Sequence, residues 1–229
     1  MKNIMIKLLR GSFGLKKTLL AVLFFLCVGD AFAWGSVKAG SIMTFGKYPQ
    51  TALGEIKPIE WRVLEVKDNK ALLLADKGLD AVPYHVEYSD ITWKNSTIRQ
   101  WLNSDFYNKA FNDSEKSRIS ITVLKNSDNP KYGTLGGVDT RDRVFLLSLD
   151  EAEWYLIYDA ERVLQPTPYA VKKGAFTNKR MQSSAWWLRS PGGNVCCAAG
   201  VYTDGALDFG GFDVRLDDIS VRPALWIDL

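Results

Sequence analysis

Residues 183–229 read SSAWWLRSPGGNVCCAAGVYTDGALDFGGFDVRLDDISVRPALWIDL, and the framing of this stretch decides the fold. Two stiff apolar blocks bound it, Ala185-Trp186-Trp187-Leu188 at its start and Val221-Arg222-Pro223-Ala224-Leu225-Trp226-Ile227 at its end. Between them, glycines cut the chain into short strand fragments with mixed side chains, among them Asn194, Tyr202, Asp204 and Phe212. These 47 residues contain no Lys, Glu, Gln or Met, although 28 of the 149 residues from 34 to 182 are of those types. Recognition surfaces favour compact or stiff side chains, because long flexible ones lose more entropy when immobilised. The tail is therefore expected to be a recognition surface. Adjacent strand residues point to opposite faces, so of Trp186 and Trp187 one is expected in the core and the other at most partly exposed.

Upstream, Ile42 to Phe45 reads as an opening strand. Ile59, Trp61 and Val63 alternate with Glu60 and Arg62, the period of a strand with one buried face, and Ala71 to Ala75 forms its partner. Asp68-Asn69 suits the hairpin turn between them, and Pro58 is placed at the first strand position. From Thr92 the period changes. Ile98, Trp101, Leu102 and Phe106 form one helical stripe, capped by Asn95 or Ser96 and interrupted at Asn103-Ser104. Ile119, Ile121 and Val123 alternate as a strand between Glu115 and Leu124, and residues 125–142 read as an exposed loop. Val144 to Leu147 is a short apolar strand. Ser148 and Glu151 have the spacing of a capping box before a helix that ends near Tyr158. A loop is expected from Gln165 to Lys173. The order predicts one α+β domain with two helical patches.

The first 33 residues fit an export signal: five basic residues, an apolar run from Thr18 to Val28, and Ala31-Phe32-Ala33 at the cleavage point. Residues 34–229 are then the folded chain, secreted, periplasmic or at the cell surface, with the membrane involved only through export. Removing the leader moves the formal charge from +3 to −1, which withdraws the main support for a nucleic-acid partner. Cys27 leaves with the leader. The remaining pair, Cys196 and Cys197, are neighbours that cannot staple distant segments, and a disulfide between them would strain its ring.

Catalytic groups are sparse. The single histidine, His85, has no carboxylate or thiol beside it in sequence, so a structural role is expected. The cysteine pair lacks the spacing of a zinc site. The tail aspartates follow no calcium-loop pattern, and Gly205, Gly210 and Gly211 do not form a phosphate loop before a helix. No cofactor, metal or catalytic residue is assigned. The codons offer a sharper account of the tail's composition. Randomising both adenines of an asparagine codon gives outcomes that include Asn, Asp, Tyr, Phe, Cys, Gly, Val, Leu, Ile, Ser and Thr, and never Lys, Glu, Gln, Met or Trp.

Phe45-Gly46-Lys47-Tyr48, Ile59-Glu60-Trp61, Ser96 to Asn103, Trp186 to Gly192 (WWLRSPG), Asp204-Gly205 and Val221 to Leu225 (VRPAL) together resemble a bacterial domain family of unknown function. The resemblance implies a C-type-lectin-like fold, and some such domains are variable proteins of diversity-generating retroelements. It implies that Trp186, Trp187, Arg189, Arg222 and Pro223 are framework. The contacts would be Asn194, Val195, Cys196, Cys197, Tyr202, Thr203, Asp208, Phe209, Phe212, Asp213, Leu216, Asp217, Asp218, Ile219 and Ser220. The expected partner is a protein or cell-surface ligand, and replacing Tyr202, Phe209 and Phe212 together should spare stability. Calcium-ligand motifs of sugar-binding lectins are absent. The alternatives are a carbohydrate-binding envelope protein using the Trp-rich framework, or an oxidase-like enzyme related to formylglycine-generating enzymes through Cys196 or Cys197.

Overall fold

The computed structural model describes residues 37–229, and the expected leader with Cys27 lies outside them. Strands β1 (Ile42–Pro49), β2 (Ile56–Lys67) and β3 (Lys70–Ala75) make an antiparallel meander. It is completed by β11 (Ala224–Asp228), in the order β1-β2-β3-β11. Ile59, Trp61 and Val63 are buried as the alternation requires. Asp68 and Asn69 both take left-handed backbone, with φ of 50° and 58°, the pair of conformations that a two-residue I′ turn needs.

Two strand boundaries differ from expectation. The first strand does not stop at Phe45, because Gly46 absorbs a bulge at φ +68°, and β1 resumes at Lys47. A Cβ there would stand 2.8 Å from Ala110 O and closer still to the Phe111 ring, so only glycine fits. Pro58 falls inside β2 instead of opening it, in the part that β3 does not flank.

The second sheet is largely the tail. Its order is β4-β10-β7-β8-β9, from β4 (Asp80–Ala81), β7 (Trp186–Pro191), β8 (Cys197–Val201), β9 (Leu207–Asp213) and β10 (Ser220–Val221). β10 runs parallel to β7 and the other pairs are antiparallel. The tail thus supplies four strands here and then crosses to close the first sheet as β11. Trp186 and Trp187, expected one in the core and the other at most partly exposed, are both wholly buried, because β7 sits mid-sheet with both faces covered. Trp186 lies under the Arg222 guanidinium at 5.0 Å, and its indole N–H donates to Arg162 O at 3.0 Å. Trp187 packs on Tyr84 and Phe212 and donates to Val82 O at 3.1 Å.

The helical patch begins at α1 (Thr97–Trp101), capped by the Ser96 hydroxyl, which accepts from Arg99 N–H. Asn103 does not break it. A π-helical turn at Leu102–Phe106 carries the chain into α2 (Tyr107–Ala110). The Asn103 amide donates to Arg99 O and Val144 O, and its oxygen accepts from Arg143 N–H, so it ties the wide turn to the next segment. The strand expected across 115–124 is shorter than read: residues 115–118 are helical and the strand is confined to 122–124. Asn112 and Glu115 form a capping box that opens α3 (Asp113–Arg118), Ile119 makes an isolated bridge to Ile227, and Thr122–Leu124 (β5) pairs with β6 (Thr140–Asp142). Ile121 and Val123 consequently face solvent.

Val144 to Leu147 is buried but makes only an isolated bridge, Phe145 to Ala224. The Ser148–Glu151 capping box forms as read and opens α4 (Leu149–Tyr155). That helix ends before Tyr158 because Tyr158 caps α5 (Asp159–Arg162). The expected loop after Gln165 holds α6 (Pro168–Lys172), with Pro168 in its first turn and the Thr167 hydroxyl accepting from Ala170 N–H. One core joins both sheets and the helices, with Trp61, Leu73, Phe106, Phe145, Trp187, Val201 and Leu225 at its centre. The architecture is mixed α+β with strands predominant. Among the described residues no helix is long and apolar enough to cross a membrane.

Candidate functional site

The chain between the two buried motifs comes to the surface as β9 and the loops around it, while β8 stays buried after Cys197. Every residue of β9 is half-buried, in contrast to β7, where all six are buried. Asn194, Val195, Tyr202, Leu216 and Asp217 are exposed. Cys196, Cys197, Thr203, Asp208, Phe209, Phe212, Asp213 and Asp218 are half-buried. Ile219 and Ser220 do not belong to this face: they are 5% and 0% exposed, because the chain there turns inward to pair β10 with β7.

Phe212 has a double role. Its ring stands edge-on to Trp187 at 5.8 Å and to Tyr202 at 5.3 Å, so it links the core to the exposed tyrosine. Phe209 also packs against the core. The triple Tyr202, Phe209, Phe212 replacement is therefore not neutral for stability, since two of the three rings support buried groups. Tyr202 donates to the Asp208 carboxylate, and this bond, with lesser burial, pushes its hydroxyl up to about 12.

At the other end of the face Asn194 folds back on its own loop. Its Oδ1 accepts from Cys196 N–H at 3.1 Å and lies 2.9 Å from Cys196 Sγ, which is also 3.1 Å from the Tyr88 hydroxyl. Both tail thiols are free. Burial, then the neighbouring Cys196, pushes the Cys197 thiol up, away from the low pKa of a reactive thiolate. Arg215 lies over the Tyr88 ring at 4.5 Å and grips Asp213 through Nε at 3.1 Å and Nη2 at 2.8 Å. The side-chain bonds from Arg215, then its backbone N–H, hold the Asp213 carboxyl at about 2.

Because that folded value lies below the ordinary carboxylate value of about 3.9, the contribution of the pair is complete above the ordinary value and is lost as pH falls from there through about 2. A carboxyl-carbon NMR titration should place the Asp213 midpoint near 2, and Arg215→Ala should raise it part of the way to the ordinary value of about 3.9, because the backbone N–H at 215 still donates. An unchanged midpoint in that variant would remove Arg215 as the cause.

Two segments from outside the tail complete the face, and little in the sequence signals them. Asn129, 1% exposed, donates through Nδ2 to Pro191 O and Phe209 O, both at 2.8 Å, and its Oδ1 accepts from the N–H groups of Lys131 and Tyr132. It pins the 125–139 loop across β9 and sets Lys131 over the Phe209 ring at 5.3 Å. Tyr88 arrives from the loop after β4. His85, in the same loop, donates its backbone N–H to Val214 O at 2.9 Å. Arg215 alone had a local signal, as the only basic residue between 192 and 219.

The framework residues are buried as assigned. Arg189 Nη1 donates to Leu146 O at 2.9 Å, and its two Nη groups pair with Glu151. Arg222 Nε donates to Ala75 O at 2.9 Å, and Pro223 O accepts from Ala75 N–H at 2.9 Å. The turn at Asp204-Gly205 is fixed as well. Gly205 has φ +91°, a Cβ on it would meet Asp159 O at 1.9 Å, and its carbonyl accepts from buried Arg162 Nε at 2.8 Å. Among the described residues no group of three or more His, Cys, Asp or Glu is placed to hold a metal ion.

Fold and face together define an α+β domain whose C-terminal motifs form the core and whose intervening residues come to the surface. The chain belongs to the family described as domain of unknown function DUF6273, whose pattern matches residues 68–229. No curated protein and no solved structure matches the chain.

Proposed function

We propose that this is an exported ligand-binding protein that presents residues 194–217 as a recognition surface to a protein or cell-surface partner, on a C-type-lectin-like scaffold. The observation that carries it is the split in burial. WWLRSPG and VRPAL are buried without a break from Trp186 to Gly192 and from Val221 to Leu225, while the residues between them are mostly exposed or half-buried. Diversification by a retroelement would then act where the fold tolerates change, and it accounts for the missing Lys, Glu, Gln and Met. A near-copy of the tail's DNA, carrying adenines wherever the interior residues differ, tests that part.

The carbohydrate alternative is the weaker one, because neither Trp186 nor Trp187 offers a ring to solvent. The protein-level test is a displayed library with Asn194, Val195, Cys196, Tyr202, Asp208, Leu216 and Asp217 randomised. Most members should remain protease-resistant and yield binders to unrelated proteins, while randomising Trp186 to Arg189 should abolish folding. A library at the first set that mostly unfolds would refute the recognition surface.

A further inference from the structure

We infer that the cleft formed by α4 and β5 with β3 and β11 binds a free amino acid with an apolar side chain. The site shares no residue with the 194–217 face and stands whether or not that face is a recognition surface. Its volume, about 320 Å³, falls within the range of small-molecule sites and suits a single amino acid. Buried Leu72, Leu124 and Phe145 line it together with half-buried Trp226, which gives it one apolar wall.

The polar wall is built around Arg189, which lines the cleft and is only 3% exposed. Its Nη groups donate to Leu146 O, Lys125 O and Glu151, but its Nε–H is buried with no acceptor. A buried donor left unpaired is unfavourable, so it points to an acceptor that arrives with a ligand. Lys125 and Ser127 line the same cleft, and among the described residues neither side chain has a bonding partner. Asp150, exposed in the first turn of α4, is equally free, whereas Glu151 beside it is held by Arg189.

The cleft therefore offers several donors, one free carboxylate and an apolar wall. An α-amino acid meets all three. Its carboxylate accepts from Arg189 Nε, Ser127 and Lys125, its ammonium donates to Asp150, and its side chain covers Leu72, Phe145 and Trp226. A simple carboxylic acid leaves Asp150 without a partner, and a simple amine leaves Arg189 Nε as it is. A second negative charge on the ligand would be set against Asp150 and Glu151, which excludes acidic amino acids. The Ser148–Glu151 capping box and the Glu151–Arg189 pair fix the polar wall beforehand, so little order is lost on binding.

The test titrates the purified protein with four probes, following methyl and indole N–H shifts by NMR. They are L-leucine, 4-methylpentanoate (leucine without its ammonium), 3-methylbutylamine (leucine without its carboxylate) and L-glutamate. L-Leucine should bind with a Kd below about 1 mM, and the other three at least about tenfold more weakly. Its shifts should fall on the Trp226 indole and the Val123 and Leu124 methyls, and spare Tyr202 and Phe209. D150N, near-isosteric and expected to keep the melting temperature, should weaken leucine about tenfold and leave 4-methylpentanoate unchanged. E153Q, on the same helix but outside the cleft, should change nothing. Equal affinity for leucine and 4-methylpentanoate, or equal leucine affinity in D150N and the parent, overturns the inference. So does the absence of shifts at about 10 mM leucine, or shifts confined to the 194–217 face.

Discussion

Replacing Trp187 by alanine is expected to cost about 4 kcal/mol, at the upper end of what single core truncations remove. The indole is wholly buried, contacts Tyr84 at 5.7 Å and Phe212 at 5.8 Å between ring centres, and donates a hydrogen bond to Val82 O. Truncation loses the transfer energy, opens a cavity that the sheet cannot close, and leaves that carbonyl short of a donor. For a domain of this size the melting temperature should fall by roughly 10 °C. Because Phe212 leans on Trp187 and Tyr202 leans on Phe212, the surface tyrosine should lose its order too. Thermal denaturation with Tyr202 ring shifts read in parallel checks both. A melting point within a few degrees of the parent would show that the tail sheet is not integral to the core.

The second large effect separates two arginines that sequence reading placed in one class. Arg189→Met should cost about 3 kcal/mol, because it strips Glu151 of a paired guanidinium and Leu146 O of a donor. Arg222 stands differently. Its partners are the Ala75 carbonyl and the Trp186 face, Nη1 has no partner, and burial followed by repulsion from Arg62 holds the guanidinium down to about 9. Arg222→Met fills the same volume without that desolvation, so stability should change by less than about 1 kcal/mol or rise. Urea denaturation of both variants decides it, and equal losses would mean that Arg222 has a compensating partner after all.

The fold was legible wherever one residue's neighbours in sequence are also its neighbours in space. The β2–β3 hairpin followed from alternation around Trp61 and a turn at Asp68-Asn69, and the Ser148–Glu151 cap from its spacing. The α3 helix was missed because the alternation of Ile119, Ile121 and Val123, which leads into β5, was carried back to Glu115, where the local Asn112–Glu115 capping box held the true signal. That neither Trp186 nor Trp187 is even partly exposed could not be read from alternation, which assumes one wet face, and β7 has none.

The face was legible by composition, since the absent long side chains mark the stretch that surfaces. Its other half was not. Asn129 and Tyr88 reach it across 80 and 108 residues, to Phe209 and Cys196, and contacts of that span leave no periodic trace. Ile219 was placed on the face for the same reason, because the pairing of β10 with β7 and β4 is a long-range event.

The crossing of the tail from one sheet to the other has a consequence for how the molecule assembles. β3 waits for β11, and Arg222 reaches back 147 residues to the Ala75 carbonyl, so the early hairpins gain their last neighbour only when the final strand docks. Such distant closure slows folding, and it leaves the stretch between the two motifs tied at both ends, by β7 and β10 in one sheet, while β11 just beyond locks into the other. Changes between those anchors are absorbed locally, as slack in a rope tied at two fixed posts.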